Sequence, residues 1–224
     1  MEYLPLMIPA AFILTTLLTL LLLYRAARFN RRLLLVITGW LILQAALTIA
    51  GFYLQTTDTP PHFTLLLLPP VAMILVLLFS KPGQRFVDTF DTSRLTLIHS
   101  VRIPVELLLF GLYLYHAVPR LMTFEGGNLD IFSGLSAPLI WYFGFKRKAI
   151  GRTGLIAWNI LCLLLLFNIV GRAILSAPFA FQRFGFEQPN IALLYFPYSW
   201  LPGFIVPAVL LAHLITLRKL ILNK

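Results

Sequence analysis

The 224-residue chain carries a net charge of +10, with 59% hydrophobic and only 12% charged residues. An ordinary soluble domain has roughly 45–50% apolar and about 25% charged residues, so a water-soluble fold of this length could not cover its apolar surface. The positive charge would suggest nucleic acid in a soluble protein. In a membrane protein it means basic residues held on the cytoplasmic side against anionic headgroups, so membrane lipids are the expected partner and nucleic acid is not.

A spanning helix needs about 20 mainly apolar residues. Seven stretches approach that length, which predicts an all-α membrane protein: one domain over residues 1–224, folded as a bundle of seven transmembrane helices. The first stretch, about 4–24, has no basic segment before it and no small-residue cleavage site after it, so it is not expected to be a removable signal peptide. The second is about 33–54. The third, about 63–80, contains Pro69 and Pro70, whose missing amide protons predict a kink. The fourth, about 103–118, has Pro104 in its first turn, where a proline costs little. The fifth, about 131–145, is the shortest. The sixth is about 153–175. The seventh, about 194–217, carries Pro197, Pro202 and Pro207, which predict a bent or partly unwound outer half.

Basic residues fall in alternate gaps. Arg25, Arg28, Arg31 and Arg32 follow the first stretch, and Lys81, Arg85, Arg94 and Arg102 the third. Lys146, Arg147, Lys148 and Arg152 follow the fifth, and Arg218, Lys219 and Lys224 close the chain. Fifteen of the 18 basic residues therefore share one side, which the positive-inside rule makes cytoplasmic. The N-terminus is then outside and the C-terminus inside, which requires an odd number of spans. Pro82 to Ser100 mixes apolar and charged residues and is expected to lie amphipathically in the interface. On the other side, Phe179, Phe181, Phe184 and Phe186 alternate with small or polar residues, as in an interfacial aromatic belt or a lid.

Ionisable groups within spans are costly and are therefore functional candidates. His99, Arg102 and Glu106 fall on one helical stripe. Depth puts Glu106 level with His213 of the seventh stretch, so the two are expected to face each other or a common cavity, with Arg102 as a further partner. A proton relay and a substrate anchor fit this set, as does a structural Arg102–Glu106 ion pair. Asn159, Asn168 and Arg172 mark the sixth stretch. Asn168 and Arg172 share a face toward the outer end, where they could hold an anion or act as polar glue between helices. Glu125, Asp130 and Glu187 supply acids in the outer loops. The run from Phe124 to Asp130 is rich in turn-forming residues, with Gly126 and Gly127 able to take positive φ. It is expected to be a turn with solvated acids, or else a cation loop. His116 is expected at the interface.

No metal site is expected. His99 and Glu106 stand two turns apart, and no HExxH pattern is present. The single cysteine, Cys162, excludes an intrachain disulfide and a multi-cysteine metal site. No cofactor is expected either, because Walker, dinucleotide and GxSxG motifs are missing and the last stretch has no lysine at mid-depth for a retinal Schiff base.

The runs Val101-Arg102-Ile103-Pro104-Val105-Glu106 and Pro119-Arg120-Leu121-Met122-Thr123-Phe124-Glu125-Gly126 resemble a family of uncharacterised bacterial seven-helix integral membrane proteins of unknown function. Ser176-Ala177-Pro178-Phe179 and Gln188-Pro189-Asn190-Ile191-Ala192 do so as well. The resemblance covers roughly the C-terminal two-thirds. It implies a bacterial inner-membrane location and transfers no activity, cofactor or functional residue. The leading expectation is therefore a protein that binds or transports a small molecule in a polar cavity between kinked helices, without enzymatic chemistry. The alternatives are a sensor that docks a protein partner of unknown identity, and an intramembrane enzyme using His213 and Glu106 as acid and base.

Overall fold

The computed structural model describes residues 4–58 and 60–223. The chain is all-α, with no strand among the described residues. Nine α-helices follow in order: α1 Met7–Ala26, α2 Arg31–Ile49, α3 Thr64–Phe79, α4 Lys81–Val87, α5 Thr92–Ile98, α6 Arg102–Leu114, α7 Asp130–Ile140, α8 Arg152–Leu175 and α9 Val206–Ile221. Short 3₁₀ turns fill several connections, and π-helical turns occupy Trp141–Lys146 and Leu201–Ile205.

Capping residues explain the breaks. Arg28 and Phe29 take positive φ and end α1. Asn30 then accepts from the Leu33 amide and starts α2. Ser80 leaves α3 in an extended conformation and its hydroxyl caps Gly83, so α4 turns away at 92°. Asp91 caps Arg94 and starts α5.

One end of the bundle gathers the basic gaps. There Arg94 donates to the Arg25 carbonyl, Lys219 to that of Phe90 and Arg152 to that of Ile221. Arg218 pairs with Asp88. The opposite, loop-rich end is tied by the Ala192 amide on the Ala117 carbonyl and by the rings of Phe63 and Phe179, 5.4 Å apart. Phe179 is buried there, and Phe181, Phe184 and Phe186 are exposed.

Among the described residues five helical runs are long and apolar enough to cross a membrane: Met7–Ala26, Arg31–Ile49, Thr92–Leu114, Arg152–Leu175 and Leu201–Ile221. The bent pair of α3 and α4 makes a sixth when it is counted as one span. Three expectations need correction. The fourth stretch does not begin at Ile103, because α5, a 3₁₀ turn and α6 form one run from Thr92 to Leu114. Nor is residues 82–100 an interfacial segment throughout: Leu95, Thr96, Ile98 and His99 are buried in the bundle. The sharp bend near the third stretch also falls at Ser80, since α3 runs through Pro69 and Pro70 as one helix.

The seventh stretch is partly unwound where its prolines fall. In a helix the Gly203 carbonyl would accept from residue 207, but Pro207 has no amide proton. Trp40 Nε1 donates to that carbonyl instead, at 2.8 Å. Trp200 Nε1 returns a bond to the Leu41 carbonyl at 3.0 Å, so two indoles fasten α2 to the unwound turn.

Close approach of α6 and α7 depends on Gly134. A Cβ there would stand 2.9 Å from Ile103 Cγ1, 3.0 Å from the Ile103 amide nitrogen and 3.3 Å from Arg102 Cβ. Gly134→Val is therefore expected to force the helices apart and cost about 1–3 kcal/mol, the usual range for overpacking. Thermal unfolding in detergent measures it, and a variant melting with the wild type would show that the contact is slack.

Candidate functional site

One group of buried polar residues gathers around Arg102. Arg102 stands ten residues into the Thr92–Leu114 run and is 3% exposed. Its Nη1 donates to Asp130 Oδ1 at 2.8 Å and to the Cys162 carbonyl at 3.2 Å. Its Nη2 lies 3.0 Å from His213 Nε2. Guanidinium can only donate, so His213 Nε2 accepts and the ring is neutral with its proton on Nδ1. That proton points at Asn159 Oδ1, 2.9 Å away, and the Asn159 amide donates to the Leu155 carbonyl at 2.8 Å. The chain of donors and acceptors is consistent from α8 through α9 and α6 to α7.

A second branch holds Glu106. Asn128 Nδ2 donates to Glu106 Oε1 at 2.5 Å and to the Met122 carbonyl at 3.0 Å. Asn128 Oδ1 accepts from the Asp130 amide at 3.1 Å. The segment between α6 and α7 thus folds inward, and α7 begins beside Arg102 instead of at the loop-rich end. Non-helical backbone at such depth is tolerated when protein surrounds it, and Thr123, Asn128 and Asp130 are all buried. The tight fold depends on Gly126, whose Cβ would strike the Arg120 carbonyl oxygen at 2.0 Å. It also uses Gly127 at φ +86°.

This geometry revises several expectations. Arg102 pairs with Asp130, and no Arg102–Glu106 ion pair occurs among the described residues. Asp130 is buried, not solvated, while Glu125 stays exposed near Arg120. Both His213 nitrogens are engaged, by Arg102 and Asn159, and no hydrogen bond joins His213 to Glu106 among the described residues. His99 stacks on the His213 ring at 3.8 Å between centroids, with the edge of Trp158 at 5.5 Å. Neither ring nitrogen of His99 has a hydrogen-bond partner.

The Asn168 and Arg172 pair separates. Arg172 Nη1 donates to the Gly126 and Leu121 carbonyls at 2.9 and 3.4 Å, so it braces the inward-folded segment. Asn168 is exposed on the bundle surface. His116 is exposed, with Nδ1 3.1 Å from Gln188 Oε1. Asn128 and Asp130 are the site residues that the sequence reading left in the loop.

Beside the cluster lies a cavity of about 60 Å³. Glu106 and Asp130 form its polar end, and its walls are apolar, among them Leu109, Met122 and Ile169. Leu67 on α3 and Val170 and Ile174 on α8 are the half-buried parts of the wall, so the cavity reaches the surface between those helices. Glu106 Oε2 is buried without a partner. Arg102 is the one guanidinium in this cluster and stands against two carboxylates. With Arg102 committed to Asp130, Glu106 requires either a proton or a second cation.

Removing one member of the Arg102–Asp130 pair leaves an uncompensated buried charge, which costs about 3–5 kcal/mol. Asp130→Leu is expected to lose that much stability. Adding Arg102→Met in the same protein is expected to recover most of it. Reversible unfolding in mixed micelles, arranged as a double-mutant cycle, checks this. Strictly additive losses would mean that the two charges are compensated separately.

Residues 60–221 match the family described as Domain of unknown function (DUF8737). No curated protein and no solved structure matches the chain. The family match covers well over half of the sequence and takes in every residue of the buried polar cluster, and on that extent the chain belongs to the DUF8737 family.

Proposed function

We propose that this is an integral membrane protein that binds or carries a small molecule bearing a protonated amine, anchored on Glu106 in the cavity between α3, α6 and α8. The observation that carries the reading is the buried, unpartnered Glu106 Oε2 on the cavity wall. A cationic N–H donor supplies both things that oxygen lacks, a hydrogen bond and a compensating charge. The enclosed volume is well below the roughly 150 Å³ of an engineered cavity that takes benzene. It suits a small amine head, with an apolar remainder in the gap between α3 and α8.

Membrane placement is supported by large apolar side chains left exposed on α1, α2, α3 and α8, such as Leu14, Leu35, Phe79 and Leu164. The chain crosses seven times in this reading. The bent α3–α4 pair is the third span, and α7 with its π turn is the fifth. That fifth span is short because its first residue already lies inside the bundle. The N-terminus is outside and the C-terminus cytoplasmic, and the membrane is a bacterial inner membrane whose anionic headgroups meet the basic end. Asp130 holds Arg102, Arg102 fixes the His213 tautomer, and Glu106 remains to receive the ligand. An acid–base role for Glu106 with His213 lacks support, because no hydrogen bond joins them.

Titration of the detergent-purified protein with methylammonium and ethylammonium chloride tests the site. At about 100 times Kd a ligand stabilises by about 2.7 kcal/mol, so the thermal midpoint is expected to rise with amine and to stay flat in Glu106→Gln. An equal rise in that variant, or no rise in the wild type, would overturn the amine site. The layout is tested by reporter fusions at the two termini, which are expected in opposite compartments. The same compartment for both would remove the seven-span topology.

A further inference from the structure

A second and larger void lies at the other half of the bundle. It is a groove of about 470 Å³ between α2, α3 and the start of α9. Val36, Ile37, Met73, Leu77 and Leu211 typify its walls. The polar side chains near its mouth are Asn30 and Arg32, at the basic end. Arg32 is exposed and makes no ion pair among the described residues. Arg31 beside it is exposed as well. Trp40, bonded to the Gly203 carbonyl, lines the groove farther from that end.

From this geometry we infer that the groove seats one acyl chain of an anionic phospholipid from the leaflet at the basic end, with the phosphate against Arg32. Three features select this occupant. The walls are hydrocarbon, so the buried part of the ligand is apolar. The mouth is cationic, so the exposed part is anionic. The length fits as well: from Arg32 to Trp40 is about 12 Å at about 1.5 Å per helical residue. One leaflet's share of a hydrocarbon core about 30 Å thick is about 15 Å. A groove of that length has the reach of a single leaflet's tail.

The inference rests on the membrane placement proposed above but not on the amine site, which lies on the other side of the Leu201–Ile205 turn. The test is photocrosslinking in vesicles with phosphatidylglycerol carrying a diazirine near the end of one acyl chain, mapped by peptide mass spectrometry. Phosphatidylcholine with the same chain is the control. Labelling is expected to concentrate at Ile37, Trp40 and Pro70 over the exposed faces of α1 and α8, and to favour phosphatidylglycerol. Arg32→Glu is expected to lower phosphatidylglycerol labelling of the groove about fivefold or more, leaving phosphatidylcholine labelling unchanged. Met73→Trp, on the exposed rim, is expected to reduce groove labelling by both lipids while the labelling of Leu14 and Leu164 persists. That persistence separates a filled groove from an unfolded protein, and Val36→Trp gives an independent block.

Equal labelling of the groove and of Leu14 and Leu164 would mean surrounding lipid only and would overturn the site. So would groove labelling that survives both tryptophan variants, or that ignores the charge at position 32. Recovery of the protein in the aqueous fraction would overturn this inference and the membrane placement together. A failed amine titration leaves the labelling pattern as the sole judge of the groove.

Discussion

The buried pair of Arg102 and Asp130 is the constraint from which the rest of the interior follows. Taking two ions out of water costs several kcal/mol each, and the pair repays this only when further hydrogen bonds satisfy its remaining atoms. Arg102 meets that condition in part, through the Cys162 carbonyl and His213, while its Nε has no partner, and the Asp130 backbone amide is held by Asn128. To deliver Asp130 to that depth, α7 must begin inside the bundle. The segment between α6 and α7 must therefore descend with its backbone satisfied by protein groups. Gly126 allows the tight fold, Arg172 caps its carbonyls, and Gly134 lets α7 approach α6 one turn later.

The consequence for chemistry is a matter of charge. The guanidinium is bound to one carboxylate while a second, Glu106, faces the cavity with one oxygen satisfied by Asn128 and one free. His213 cannot supply the missing cation. Its Nε2 accepts from Arg102, which fixes the ring as neutral, and the Asn159 oxygen holds its proton on the far side. His99 is stacked behind it, away from the cavity wall. On the cavity wall, Glu106 is thus the carboxylate that keeps an unpartnered oxygen beside a network that orients the other groups.

The long apolar runs were legible because α1, α2 and α8 keep ionisable groups at their ends. Glu106, Arg102, His99 and His213 were legible because a charge or imidazole inside such a run is expensive. The boundary of the fourth run was misplaced for the same reason. A scale that assigns Arg102 to water ends the helix there, and it hands Thr92 to Val101 to the interface. The structure keeps those residues inside because Arg102 finds its counter-ion 28 positions later, across a glycine turn. No local pattern in residues 124–130 distinguishes an acid that remains in solvent from one carried inward. Asn128 and Asp130 consequently read as loop, and Arg102 was given the wrong carboxylate. Asn168 and Arg172 show the opposite limit. Their spacing puts them about 40° apart on one face, where Asn168 stays exposed while the longer Arg172 side chain reaches the Gly126 and Leu121 carbonyls.

The prolines connect the two voids. The π turn Leu201–Ile205 places Leu201 and Pro202 on the cavity wall, and Gly203 and Phe204 on the groove wall. Val206 and Pro207 divide in the same way. The turn is thus a partition one strand of backbone thick. Pro207 removes the α-helical bond to the Gly203 carbonyl, which accepts from the indole of Trp40. Widened turns of this kind occur disproportionately at functional positions. Filling the groove presses on Trp40 and Phe204, and filling the cavity presses on Leu201 and Pro202. Each occupant therefore acts on the same short segment from opposite sides, and any coupling between them must be equal in both directions because it is a single free energy.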